Sequence, residues 1–181
     1  TPAPLPPNNK TSQNVAHQLT IVLQDIYVAE EGVALGFILS TSNATVAVDA
    51  SGSLVIILGR VPDNNTTVEY YNTGLHQGKL KRIGNINFIY YNSGVEAGKI
   101  RSIGNIAFTY YKSAGVLRGK IQSLSNITFR YYVSGILSGR LQFLGNINFT
   151  YNSDGTMRNM SGTLRDVRLQ TISIESWRNI I

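Results

Sequence analysis

A chain of 181 residues with no cysteine, 14% charged residues and a formal net charge of +6 has the length of one domain, able to bury roughly two thirds of the surface its unfolded form exposes. Disulfides and thiolate metal sites are excluded, while the redox compartment is left open. The low charge, with abundant Asn, Ser, Thr, Tyr and Ile, suits a secreted β-protein better than a cytosolic enzyme.

The chain begins TPAPLPPNNKTSQN, which holds four of the five prolines, so residues 1–18 are expected to form an extended or disordered arm. It carries neither an initiator Met nor an export signal, and reads as a mature chain after signal cleavage. A single all-β domain is expected over 19–181. Its first element is LTIVLQDIYV, β-branched and alternating, which predicts a strand. GVALGFILS, TVAVDASG and SLVIILG follow as short strands around Gly, Ser and Asp turns. The apolar runs VALGFIL and SLVIILG are far short of the ~20 residues that span a bilayer. No transmembrane segment is therefore expected.

From there one phrase recurs. Gly78, Gly98, Gly119 and Gly139 are spaced by 20, 21 and 20 residues, and each is followed by Lys or Arg and then Leu or Ile. The unit reads G-[KR]-[IL]-x-x-[IL]-[GS]-N-I-x-F-x-Y-[YN]-x-x-x-G, with the last Gly one position earlier except in the second unit, where a residue is added; it is an internal repeat. Looser copies are read from Gly52, Thr67 and Gly162, giving a repeat region of about 52–165. Within a unit the period is two, and Gly84-Asn85 suits a two-residue hairpin turn. That register sets Ile83 opposite Ile86, Lys81 opposite Phe88 and Lys79 opposite Tyr90, with Lys99/Tyr110 and Lys120/Tyr131 following in later units. Leu80, Ile100, Ile121 and Leu141 then share the second, mixed face with Tyr91, Tyr111 and Tyr132. Ser125, which replaces the turn glycine in the third unit, resists positive φ. The fold class is an all-β antiparallel hairpin meander of 20–21-residue units, spiralling or sandwich-like. Helix signals are poor throughout, and LRDVRLQTISIESWRNII (164–181) is expected to supply a closing strand or cap for the terminal repeat.

The stretches FTYNSDGTM (149–157) and VAVDASGSL (46–54) resemble the tyrosine-aspartate repeats of rearrangement-hot-spot proteins, whose unit is roughly Y-x-Y-D-x-x-G-x-L. Asp49 fits that pattern, whereas Asn92, Lys112 and Val133 replace the Asp in other copies. The resemblance implies β-hairpin repeats in a secreted bacterial-type protein and transfers no activity.

Chemistry-bearing residues are sparse. His17 lies in the N-terminal segment and His76 in a repeat loop, without a serine or carboxylate at triad spacing and without partners for a metal. Glu30-Glu31 precedes Gly32 in a turn, and Asp49 and Asp154 precede Gly in turns that Asp favours. No phosphate-binding or dinucleotide loop occurs. No catalytic, cofactor or metal residue is assigned, and the chain is read as a non-enzyme.

Charge is more informative. Between Gly78 and Leu141 ten Lys or Arg stand against Glu96 alone, concentrating +9 in a chain of +6. Stacked units would line Lys79, Lys99, Arg101, Lys120 and Arg140 into a stripe beside Tyr91, Tyr111 and Tyr132. Such a surface suits extracellular polysaccharide or a sister subunit; nucleic acid is not expected, since no recognition motif accompanies the charge. The function read from the sequence is a secreted, cell-surface or extracellular structural protein that self-associates as a filament, sheath, surface-layer or matrix subunit, by strand addition between copies. The alternative is a non-catalytic carbohydrate-binding module using the Lys, Arg and Tyr face.

Overall fold

A computed structural model describes residues 2–4, 18–59 and 66–181. His17 and most of the 1–18 arm lie outside the described residues. Two sheets face each other. The smaller has the order β15-β1-β2-β3-β4, built from β1 (Val22–Ala29), β2 (Ala34–Ser40), β3 (Thr45–Asp49), β4 (Val55–Leu58) and β15 (Arg168–Ile172). Its four N-terminal strands form an antiparallel meander, and β15 joins β1 in parallel.

The larger sheet is a ten-stranded antiparallel meander in strict chain order: β5 (Val68–Tyr70), β6 (Leu80–Ile83), β7 (Ile86–Tyr90), β8 (Ile100–Ile103), β9 (Ile106–Tyr110), β10 (Ile121–Leu124), β11 (Ile127–Tyr131), β12 (Leu141–Leu144), β13 (Ile147–Tyr151) and β14 (Met157–Ser161). The tight turns fall where the repeat places them, with Ile83 opposite Ile86, Ile103 opposite Ile106 and Leu124 opposite Ile127. Ser125 adopts φ +56, beside +55, +57 and +57 at Gly84, Gly104 and Gly145. The surrounding repeat imposes the turn on a residue that does not favour it.

Further along each unit the expected register fails, and the reason is a bulge. Tyr90 pairs with Ile100 while Ile89 pairs with Ser102, so Arg101 has no opposite number on β7. Lys81, Gln122 and Gln142 are skipped in the same way. One unpaired residue reverses the alternation. Leu80, Ile100, Ile121 and Leu141 therefore turn into the core beside Ile83, Ile103, Leu124 and Leu144. Lys81 does not face Phe88, nor Arg101 Phe108; Phe88, Phe108, Phe129 and Phe149 are fully buried, one per unit.

The core lies between the sheets. Ile26, Val28, Phe37, Leu39, Val46 and Val48 of the smaller sheet are fully buried against the phenylalanine row. Phe37 sits edge-on between two units, its ring centroid 6.2 Å from that of Phe108 and 5.8 Å from that of Phe129. Each such aromatic removes enough apolar surface from water to stabilise by roughly 1.5–3 kcal/mol.

Two segments depart from the sequence reading. Gly52–Leu58, taken as a loose repeat, forms the β3–β4 turn and β4 of the smaller sheet, so the meander begins at Val68. The C-terminal segment supplies the expected strand, but in the smaller sheet and not beside the last repeat: β15 pairs with β1, anchored by Arg168 Nε and Gln170 Nε2 on the buried Asp25 carboxylate at 2.9 and 3.0 Å. It then forms a helix, α1 (Ile174–Ile180), whose N-cap Ser173 hydroxyl accepts from the Ser176 amide. The helix covers the outer face of the smaller sheet with Trp177 against Ile38 and Ala47. Seven residues, about two turns of helix, leave too short a period to be read in sequence.

Candidate functional site

Each long connection of the meander is built alike. The Gly98 amide donates to Tyr91 O, and the Tyr91 amide to Lys99 O, closing the loop with Gly94 and Gly98 at φ +80 and +81. This geometry brings the cation after the second glycine over the inward tyrosine of the same hairpin. Lys79 and Lys99 each stand 5.0 Å from the ring centroids of Tyr90 and Tyr110, and Lys120 stands 5.8 Å from that of Tyr131. These are the cation–aromatic pairs expected from the sequence. On the opposite face, Arg101 lies 5.6 Å over Tyr91 and Lys81 5.6 Å over Tyr71.

The inward tyrosines are structural ties. Tyr90, Tyr110 and Tyr131 donate their hydroxyls to Leu80 O, Ile100 O and Ile121 O at 2.8–2.9 Å, each spanning its own hairpin. Burial pushes all three phenols well above the ordinary tyrosine range, and a neighbouring tyrosine adds to it. Burial, reinforced by Tyr132, pushes Tyr151 up to about 12.

The outward tyrosines bind units together. Tyr91 donates to Phe108 O at 2.8 Å and Tyr111 to Phe129 O at 2.7 Å. Their rings, and that of Tyr132, meet the next unit's inward tyrosine edge-on at 6.0 Å. Thus Tyr91, Tyr111 and Tyr132 face their neighbours rather than forming one open platform. Much of the cation stripe is likewise engaged: Lys79 donates to Gly98 O, and Lys99 donates to Gly119 O at 2.8 Å and to Ser51 O at 2.9 Å. Burial lowers the Lys99 pKa, opposed by Asp49 and Glu96. The Arg140 guanidinium packs beside Gly155.

The loops also interlock in sequence-specific pairs. His76 Nε2 meets Asn92 Oδ1 at 2.7 Å, and its ring lies 5.3 Å from that of Tyr90. The residue one unit on is Glu96, whose carboxylate pairs with Lys112 at 3.1 Å. Burial works against the Glu96 charge, and Lys112 overcomes it, holding the carboxyl below the usual range. His76 and Glu96 thus lock successive loops, and among the described residues no group of three or more His, Cys, Asp or Glu is placed to hold a metal ion. Among the described residues no helix is long and apolar enough to cross a membrane.

Two of the open surfaces bear on function. One is the β14 edge, where Arg158 to Ser161 are exposed and a groove of about 490 Å³ separates the strand from Glu30, Glu31 and Thr171. The other is a cleft of about 360 Å³ between the sheets at the third unit, lined by Lys99, Arg118, Lys120, Ile121 and Tyr131. Lys99 and Lys120 belong to the stripe read in sequence, but Arg118 was not singled out. Its only sequence signal is a cation two residues before Lys120, on the same loop. No protein-family model matches the chain, and neither a curated protein nor a solved structure is similar to it.

Proposed function

We propose that the protein is a self-associating extracellular structural subunit whose ten-stranded sheet continues from copy to copy by strand addition. The observation that carries this reading is the pair of open ends of that sheet. Among the described residues β14 is paired only with β13 and β5 only with β6, so each presents a row of backbone groups that a strand can complete. The strand count favours head-to-tail growth. Ten antiparallel strands make β5 and β14 run in opposite directions, so a second copy in the same orientation sets its β5 antiparallel to the first copy's β14. Such a contact uses two different surfaces and does not close on itself, which is the geometry of a filament. The low fraction of charged residues suits an extracellular setting.

The test is sedimentation velocity across a concentration series, with negative-stain microscopy of the concentrated protein. The expected outcome is concentration-dependent growth into filaments, abolished by N159K combined with M160K on the exposed edge while the circular dichroism spectrum is kept. A wild-type protein that sediments as a monomer at every concentration refutes the proposal.

A further inference from the structure

Two turns of the smaller sheet dock onto the repeat sheet by the same contact. At the second unit, Gly52 of the β3–β4 turn lies against the Tyr110 hydroxyl, and its carbonyl accepts the Ile100 amide at 2.8 Å. At the fourth unit, Gly32 of the β1–β2 turn lies against the Tyr151 hydroxyl, and its carbonyl accepts the Leu141 amide, also at 2.8 Å. Both amides belong to the residue before the bulge, which is why they are aimed at the facing sheet instead of along the ladder. Glycine is required at each tip, because a Cβ would fall 1.9 or 2.0 Å from the tyrosine oxygen.

The third unit has the same receiving half. Tyr131 donates to Ile121 O at 2.9 Å, as Tyr110 does to Ile100 O. Yet among the described residues no turn carbonyl reaches the Ile121 amide. The two docked turns pass on either side, contributing Val33 and Ala34 from one and Ala50 and Ser51 from the other to the walls of the 360 Å³ cleft. The repeat sheet contributes three cations, Lys99, Arg118 and Lys120, beside Val116, Ile121 and Tyr131. Lys120 is the one lysine of the ladder that makes no hydrogen bond to a described residue, unlike Lys79 and Lys99. Arg118 is exposed at the rim and has no carboxylate partner among the described residues.

No acid lines the cleft. The nearby Asp49 carboxylate is held in its own turn by the Leu54 amide at 2.9 Å and the Ser51 hydroxyl at 2.6 Å, and Glu96 is held by Lys112. A backbone amide that accommodates a carbonyl oxygen in two sister units, ringed here by three cations, fits an oxygen that carries negative charge. The volume is at the small end of ligand pockets, and its alanine and valine walls suit the body of a compact solute.

We infer that this cleft binds the oxyanion group, carboxylate or sulfate, of a ligand about one sugar residue in size. One anionic oxygen takes the Ile121 amide as Gly32 and Gly52 oxygens take theirs, while Lys120 and Arg118 meet the charge. The inference stands independently of self-association and is measured on dilute protein.

Titration calorimetry and amide-proton NMR with sodium glucuronate, sodium sulfate and glucose test it. Glucuronate, sulfate or both are expected to bind in a salt-dependent manner with a downfield displacement of the Ile121 amide resonance, and glucose to leave it unmoved. Binding by glucuronate alone assigns a carboxylate site, and by sulfate alone a sulfate site. Lys120→Met, which retains the stem over Tyr131, is expected to weaken binding at least tenfold with an unchanged spectrum elsewhere, and Arg118→Gln to weaken it less. If neither anion displaces the Ile121 resonance, or if both variants bind as the wild type does, the inference is wrong.

Discussion

Phe37 joins the two sheets, and its removal gives the sharpest test of the packing. The side chain is fully buried and edge-on to Phe108 and Phe129. Phe37→Ala removes a ring from between two units whose backbones are held by their own hairpins and by the tyrosine ties, so the site can collapse only partly. Such truncations cost about 3–5 kcal/mol. In a domain of this length each kcal/mol lowers Tm by about 2–4 °C, so a fall of about 6–20 °C is expected. Urea unfolding followed by circular dichroism gives the stability directly. A double-mutant cycle with Phe129→Leu separates the ring–ring contact from area burial, and a coupling of about 0.5–1.5 kcal/mol is expected for an edge-on pair. A loss below about 1 kcal/mol for Phe37→Ala would falsify the view that the sheets are joined through this residue.

Two further outcomes follow from specific contacts. In Gly36→Ala the new Cβ would lie 2.1 Å from the Trp177 ring and 2.6 Å from the Val48 carbonyl oxygen; the helix is expected to lift, red-shifting the emission of the only tryptophan, and an unshifted spectrum refutes the docking. The raised phenol pKa values make the fold sensitive to alkali. Each tyrosine stays protonated in the folded state above the pH at which it ionises when unfolded, so stability is full below about pH 10 and declines as pH rises from there toward the folded values, by up to about 1.4 kcal/mol per pH unit for each of the buried Tyr90, Tyr110 and Tyr131 and by less for the half-buried Tyr151, which solvent screens. Phenolate absorbance is expected to rise together with loss of the sheet signal; titration of these four tyrosines near pH 10 with the sheet intact contradicts their burial.

Repetition made the candidate surface partly legible and also misplaced it. The Lys79/Tyr90, Lys99/Tyr110 and Lys120/Tyr131 neighbours follow from a turn at Gly-Asn and a period of two, and the structure contains them. What single-strand alternation could not reveal was the bulge at Lys81, Arg101, Gln122 and Gln142. A bulge is decided by which residue the neighbouring strand leaves unpaired, and that depends on a pairing across the long loop rather than on local wording. Moving Ile100 and Ile121 into the core also aimed their amides at the facing sheet. For the same reason Arg118 carried no signal: its importance comes from lying across from Ala50 and Ser51, more than sixty residues earlier in the chain.

The wording of the chain alone determined the β class, the unit length and the tight turns, because turn chemistry and side-chain alternation act over a few residues. Only the packed molecule decided that Gly52–Leu58 leaves the repeat for a second sheet, that the C-terminal strand crosses to β1, and that the third unit keeps an open cleft. These are choices among distant surfaces of similar polarity. They are settled by which pairings bury the phenylalanine row while satisfying the amides beside it, a condition that exists only once both sheets are in place.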